Sequence, residues 1–141
     1  MDWMDAIREK TVVFSYGRAG YKAHSRTFVP QDLDVDLNGK QVLVTGANSG
    51  IGQATARRLV SMGADVHMLV RDRDKGRSAL DAVRAVGGSG KAYLHLVDLS
   101  LKTSIRSFAR TFGSGPVDVL VHNAGMLADQ YQQTAEGLET T

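Results

Sequence analysis

Cysteine is absent from the 141 residues. That excludes a disulfide framework, a thiolate nucleophile and a zinc-thiolate site, and it agrees with a reducing compartment. Also missing is any uninterrupted apolar run near the roughly 20 residues that a bilayer-crossing helix requires. Nor does a short apolar core with a small-residue cleavage site stand near the N-terminus. The expected location is therefore intracellular and cytoplasmic, with peripheral membrane or organelle association left open. A strong charge imbalance is lacking too: 17 basic against 15 acidic residues leave +2, too little for an electrostatic footprint on nucleic acid. What is present, 43% apolar and 23% charged residues, suits one soluble domain with its own core but not two.

From Gly39 onward, short β-branched apolar runs alternate with longer segments of helical spacing, the pattern of parallel βαβ units and hence of an α/β fold. Gln41 to Thr45 reads as a strand, apolar enough to be covered on both faces. Gln53 to Met62 reads as a helix stopped by Gly63. The alternation continues with a strand at Asp65 to Val70, a helix from Asp74 to Val86 ending at Gly87-Gly88, and a strand at Lys91 to Asp98. A third helix is expected from Leu101 to Phe112, with Ile105, Phe108 and Ala109 on one side, and a fourth strand from Val117 to His122. The polar remainder has too few apolar residues to anchor a full helix.

Residues 1–38 stand outside this rhythm and are read as a basic amphipathic arm preceding a 39–141 domain. Trp3, Ile7 and Phe14, with Met4 and Thr11, fall near helical spacing, and Arg8, Lys10, Arg18, Lys22 and Arg26 carry the positive charge. Such a helix suits contact with a membrane surface, but packing on its own domain or on a partner subunit is the preferred reading.

Thr45-Gly46-Ala47-Asn48-Ser49-Gly50-Ile51-Gly52 lies between the first strand and the first helix. A pyrophosphate needs close backbone approach, unpaired N–H groups and the positive end of a helix dipole; glycine supplies the first without steric cost. A glycine-rich turn with no ligand is the bland alternative, disfavoured by the strand-turn-helix context.

The spacing Thr45-Gly46-x-x-x-Gly50-x-Gly52 resembles the fingerprint of the short-chain dehydrogenase/reductase family. Asp98-Leu99 after the third strand and Asn123-Ala124-Gly125 after the fourth follow in the family's order. The resemblance implies a Rossmann-type, doubly wound parallel sheet, here truncated after about the fourth strand. It also implies a nicotinamide dinucleotide bound at the glycine turn, Asp98 and Leu99 at the adenine, and Asn123-Ala124-Gly125 steadying the sheet beside the cofactor. For Asp98 alone, a solvated turn acid is the competing reading. The arm, with Phe28-Val29-Pro30-Gln31-Asp32-Leu33, resembles the member 12 branch of that family, whose retinol-dehydrogenase-like neighbours share much of the core pattern.

At the end of the second strand, Val70 stands where an NAD-selective site carries an acid, and Arg71 follows with the fork geometry suited to a 2′-phosphate. NADP(H) is therefore expected over NAD(H). The competing reading places Arg71 in a surface charge cluster with Asp72 and Arg73.

The family's chemistry uses a tyrosine with a lysine four residues later, since free tyrosine titrates near 10 and needs a neighbour to act near neutral pH. Four positions after Tyr16, Tyr21, Tyr93 and Tyr131 stand Gly20, Ser25, Val97 and Ala135. The catalytic serine, helix-borne asparagine and tyrosine-lysine pair are expected beyond Thr141, so no catalytic residue is assigned and no activity is expected of the chain alone. His122, in the place of the first asparagine of an Asn-Asn-Ala-Gly run, is read as a structural variant; His67 and His95 are read as fillers. The edge of the fourth strand is expected to need a partner. The leading reading is the cofactor-binding part of an alcohol/carbonyl oxidoreductase; the alternative is a non-catalytic nucleotide-binding or assembly subunit.

Overall fold

The computed structural model of the protein describes residues 17–113 and 115–140. The chain divides into two compact units between Val35 and Asp36. In the first, helix α1 (Arg18–His24) runs into two short 3-10 turns, Ser25–Thr27 and Pro30–Leu33. The ring edge of Phe28 meets Tyr21 at 6.1 Å between centroids. Trp3, Met4, Ile7, Thr11 and Phe14 lie outside the described residues, as do Arg8 and Lys10. Within the second unit, Leu37 N–H donates to the Met62 carbonyl at 2.8 Å, and Asn38 Oδ1 accepts from the Ser89 hydroxyl at 2.7 Å.

The second unit alternates strand and helix. Its elements are β1 (Gln41–Thr45), α2 (Gly50–Ser61), β2 (Asp65–Val70), α3 (Arg73–Arg84), β3 (Ala92–Leu96), α4 (Lys102–Thr111) and β4 (Val119–Val121). The four strands form one parallel sheet in the order β3-β2-β1-β4. Val42 pairs with Val66 on one side and Val119 on the other, and Val66 pairs with Ala92. The chain therefore steps outward from β1 to β3, then crosses back by α4 to the opposite flank.

Period-two alternation distributes the side chains. Val42, Val44, Val66 and Met68 are buried with Ala56 and Val60 of α2 and Ala79 and Val83 of α3. Their neighbours Leu43 and Leu69 form a second cluster with Val97, against which Phe108 and Phe112 pack. Helices thus cover both faces, which is why β1 and β2 read as nearly continuous apolar runs. The sheet is an α/β Rossmann-like arrangement.

The second face holds a polar core. His67 is 1% exposed, with Nδ1 2.8 Å from His95 Nε2 and Nε2 2.7 Å from Gln41 Oε1. Tyr93 stacks on it at 4.8 Å, and the Phe112 ring meets it edge-on at the same separation. Far from merely filling space, the two imidazoles form a hydrogen-bonded pair. Burial lowers the pKa of both, and the His95 ring lowers that of His67 further.

Some element limits differ from those expected. Helix α2 begins at Gly50, not Gln53, because the glycine turn supplies its first residues. Strand β4 has three residues: at one end the Asp118 carboxylate accepts from Gln41 N–H and Lys40 Nζ, each at 2.8 Å. At the other, Asn123 N–H turns to the Thr45 hydroxyl at 3.0 Å, so His122 does not extend the ladder. In α4 the expected apolar side is not buried: Ile105 is 39% exposed and Ala109 is exposed, because the helix reaches the sheet through Phe108 and Phe112. No helix among the described residues is long and apolar enough to cross a membrane.

Candidate functional site

The carboxyl ends of all four strands open into one cleft of about 710 Å³. Crossing from β3 to β4 reverses the strand order beside β1, and an open parallel sheet leaves its binding crevice at such a reversal. Gly46, Asn48, Ser49, Gly50 and Ile51 line it after β1, Arg71 after β2, Asp98 and Leu99 after β3, and Asn123, Ala124 and Gly125 after β4. Residues as far apart in sequence as Gly46 and Thr140 are thereby brought together.

Two expected site residues, Thr45 and Gly52, stand behind this lining. Thr45 is 3% exposed. Its Oγ1 accepts from Asn123 N–H at 3.0 Å and Ala124 N–H at 2.9 Å, and donates to the Val121 carbonyl at 3.3 Å. The Asn123 side-chain amide donates in return to the carbonyls of Thr45 at 2.9 Å and Gly46 at 3.3 Å. The turn after β1 is thus sewn to the turn after β4. Gly52 is obligatory at this seam: a Cβ there would lie 2.6 Å from the Gly46 carbonyl and collide with Asn123 Nδ2. Gly46 adopts φ +64, and a Cβ on it would meet Ala124 Cα at 3.0 Å. The glycines therefore let backbone approach backbone.

The start of α2 suits an anion. Ser49, its N-cap residue, makes no side-chain cap, and the first turn carries no acid. The first amides of a helix have no intrahelical acceptors, and the dipole adds partial positive charge there. Ser49, Gly50 and Ile51 line the cleft at that end, with nothing within 4 Å of the position a Gly50 Cβ would take. Bare main chain, open space and uncompensated N–H groups fit a pyrophosphate.

The Asp72 carboxylate, beside Arg71, accepts from Asp74 N–H and Lys75 N–H, both at 3.0 Å, and caps α3. The Lys75 amide, foremost among several causes, holds its pKa below the ordinary carboxylate value. Asp98 Oδ1 accepts from the Ser100 hydroxyl at 2.6 Å and its N–H at 2.9 Å. Those bonds, the hydroxyl first, lower the Asp98 pKa, and Arg71 contributes through charge.

Sequence reasoning missed several lining residues. Lys75 had a local signal, since it follows Arg71 by one helical turn. Ser100 had one too, two residues after an aspartate. Thr134, Leu138, Glu139 and Thr140 also line the cleft, and nothing in their spacing announces it. His122 is exposed and does not line the cleft.

The glycine turn, the Asn123 seam and the cleft occupy the stretch over which a family model, short chain dehydrogenase, matches residues 40–140. The chain belongs to the short-chain dehydrogenase family. Among short-chain dehydrogenases, dehydrogenase/reductase SDR family member 12 of Bos taurus is 38% identical over 125 residues, covering 88% of this chain and 39% of the relative. Retinol dehydrogenase 12 of Homo sapiens is 42% identical over 109 residues, covering 76% of this chain and 34% of that protein. A crystal structure of a metagenomic short-chain oxidoreductase in complex with NADP superposes with a TM-score of 0.59 at 43% identity, covering 64% of this chain and 41% of that one. The chain thus spans well under half the length of the curated relatives it matches.

Proposed function

We propose that this chain is the cofactor-binding part of an alcohol/carbonyl oxidoreductase and that it prefers NADP(H) to NAD(H). The nicotinamide, when bound, supplies the hydride donor or acceptor. The chain's own residues hold the dinucleotide: the first amides of α2 take the pyrophosphate, Asp98 and Leu99 flank the adenine, and Asn123 keeps the two turns in register.

The observation that carries the NADP(H) preference is the end of β2. Val70, Arg71 and Asp72 line the cleft there, Lys75 joins them from the first turn of α3, and the Asp72 carboxylate is engaged in capping that helix. Two cations and no disengaged acid suit a 2′-phosphate better than a pair of ribose hydroxyls. The metagenomic relative in complex with NADP lends further support.

Titration calorimetry of NADPH and NADH with wild type and Arg71→Ala tests this reading. NADPH binds more tightly to wild type, and the substitution weakens NADPH by about ten- to a hundredfold, the range for one charge-assisted contact, while sparing NADH. Equal loss for both nucleotides overturns the phosphate role.

With no tyrosine followed four residues later by lysine, the 141-residue chain binds nucleotide but does not turn it over. Oxidation of NADPH by this chain with any of a panel of aldehydes and ketones would refute that. A second reading is a non-catalytic nucleotide-binding subunit. For it, Val119 at 47% and Leu120 at 48% exposure on β4 offer a strip for another polypeptide.

A further inference from the structure

The segment after Asn123-Ala124-Gly125 has no helix and little apolar anchorage, yet it forms part of the cleft. Between Gln132 and Thr140 it folds back on itself. Thr140 N–H donates to the Gln132 carbonyl at 3.0 Å, Thr134 N–H to the Leu138 carbonyl at 2.7 Å, and Gly137 N–H to the Thr134 carbonyl at 3.0 Å. A single antiparallel bridge joins Gln133 to Glu139. Thr134, Leu138, Glu139 and Thr140 of this loop face the cleft, and Leu138 is 39% exposed, so hydrophobic burial does little to hold the loop in place.

What does fasten it is a carboxylate at its tip. Glu136 Oε2 accepts from Lys102 N–H at 2.6 Å. Its Oε1 accepts from Thr103 N–H at 3.2 Å and the Thr103 hydroxyl at 2.9 Å. These are the opening amides of α4, whose N-cap position is held by Leu101, with no side-chain cap and no acid in the first turn. The loop thus supplies from 33 residues away the cap that the helix lacks locally, and gains in exchange an attachment at the positive end of a dipole. The Thr103 hydroxyl, followed by the two amides, holds the Glu136 carboxyl below the ordinary range.

The attachment point adjoins the turn Asp98-Leu99-Ser100, which lines the same cleft at its β3 end. We propose that Glu136 is a positioning residue: by capping α4 it sets the Gln132–Thr140 loop as a fixed wall over the adenosine half of the dinucleotide. This rests on the dinucleotide reading of the cleft. The phosphate cradle at α2 lies on other elements and does not depend on the latch.

Glu136→Ala is the direct variant, and Glu136→Ala combined with Leu101→Ser restores a side-chain cap to α4 without refastening the loop. The measurements on the full chain are calorimetry with NADPH and with adenosine 2′,5′-bisphosphate, and amide hydrogen exchange over residues 101–104 and 132–140. Glu136→Ala weakens both ligands by about tenfold, as loss of one charge-assisted contact would, and speeds exchange in both segments. The added serine restores slow exchange at residues 101–104 and does not restore affinity. Recovery of affinity by the serine, or unchanged affinity in Glu136→Ala, overturns the positioning role and leaves the cofactor reading standing. Absence of NADPH binding by wild type overturns the cofactor reading and the inference with it.

Discussion

Thr45 joins two turns through one buried oxygen. Its hydroxyl accepts from Asn123 N–H and Ala124 N–H and donates to the Val121 carbonyl, so three backbone groups from a distant segment depend on it. Thr45→Val preserves volume and removes the acceptor, leaving the Ala124 amide without a partner while Asn123 N–H keeps the Val121 carbonyl at 3.1 Å. The expected loss is about 1–3 kcal/mol in urea unfolding, the usual penalty for such an orphaned group. Thr45→Ser keeps most of the stability. A valine variant as stable as wild type would show that the seam is dispensable. In the sequence this threonine appears as part of a cofactor fingerprint; its work of fastening β1 to β4 depends on residues 76 to 79 positions away and has no local signature.

Helix α3 shows how an element can set the character of the site. Its cap, Asp72, closes the first turn with two backbone bonds, and that turn carries Lys75 into the cleft beside Arg71. Asp72→Ala therefore frays the start of α3, speeds exchange of the Asp74 and Lys75 amides, and weakens NADPH more than NADH. Asp72→Asn keeps the acceptor and stays near wild type. Equal effects of alanine and asparagine would remove the cap from the explanation. The existence and order of α2, α3 and α4 were legible from glycine stops and apolar spacing. The burial of α4 was not: Ile105, Phe108 and Ala109 share a side, but contact with the sheet passes through Phe108 and Phe112 to the two histidines.

For the whole molecule, that histidine pair makes stability depend on pH. Both imidazoles have folded pKa values below the ordinary 6.5, chiefly through burial. His67 faces His95, Gln41 and Tyr93 from the sheet and Phe112 from α4, and Asp65 pulls weakly in the opposite direction. Below about 6.5 the unfolded chain takes up protons that the folded chain refuses. Stability is thus fully present above that value and falls as pH drops toward the depressed folded values. Melting temperature should decline from pH 7.5 to 5.5, and His95→Gln, which keeps a donor toward His67 and removes one titrating ring, should flatten the decline. An unaltered slope in that variant would assign the pH dependence elsewhere.

Local chemistry determined the parallel α/β layout, the glycine turn between β1 and α2, and the placing of Arg71 and Asp98 at strand ends. Apolar periodicity and glycine punctuation act within a few residues, and a sequence displays them directly. Only the tertiary structure decided that Thr45 and Gly52 serve behind the cleft, that His67 and His95 share a hydrogen bond, and that Glu136 caps a helix it does not belong to. Each of those depends on two segments meeting in space, and the free energy of such a meeting is set by crossover geometry and close packing, which no neighbouring residue encodes.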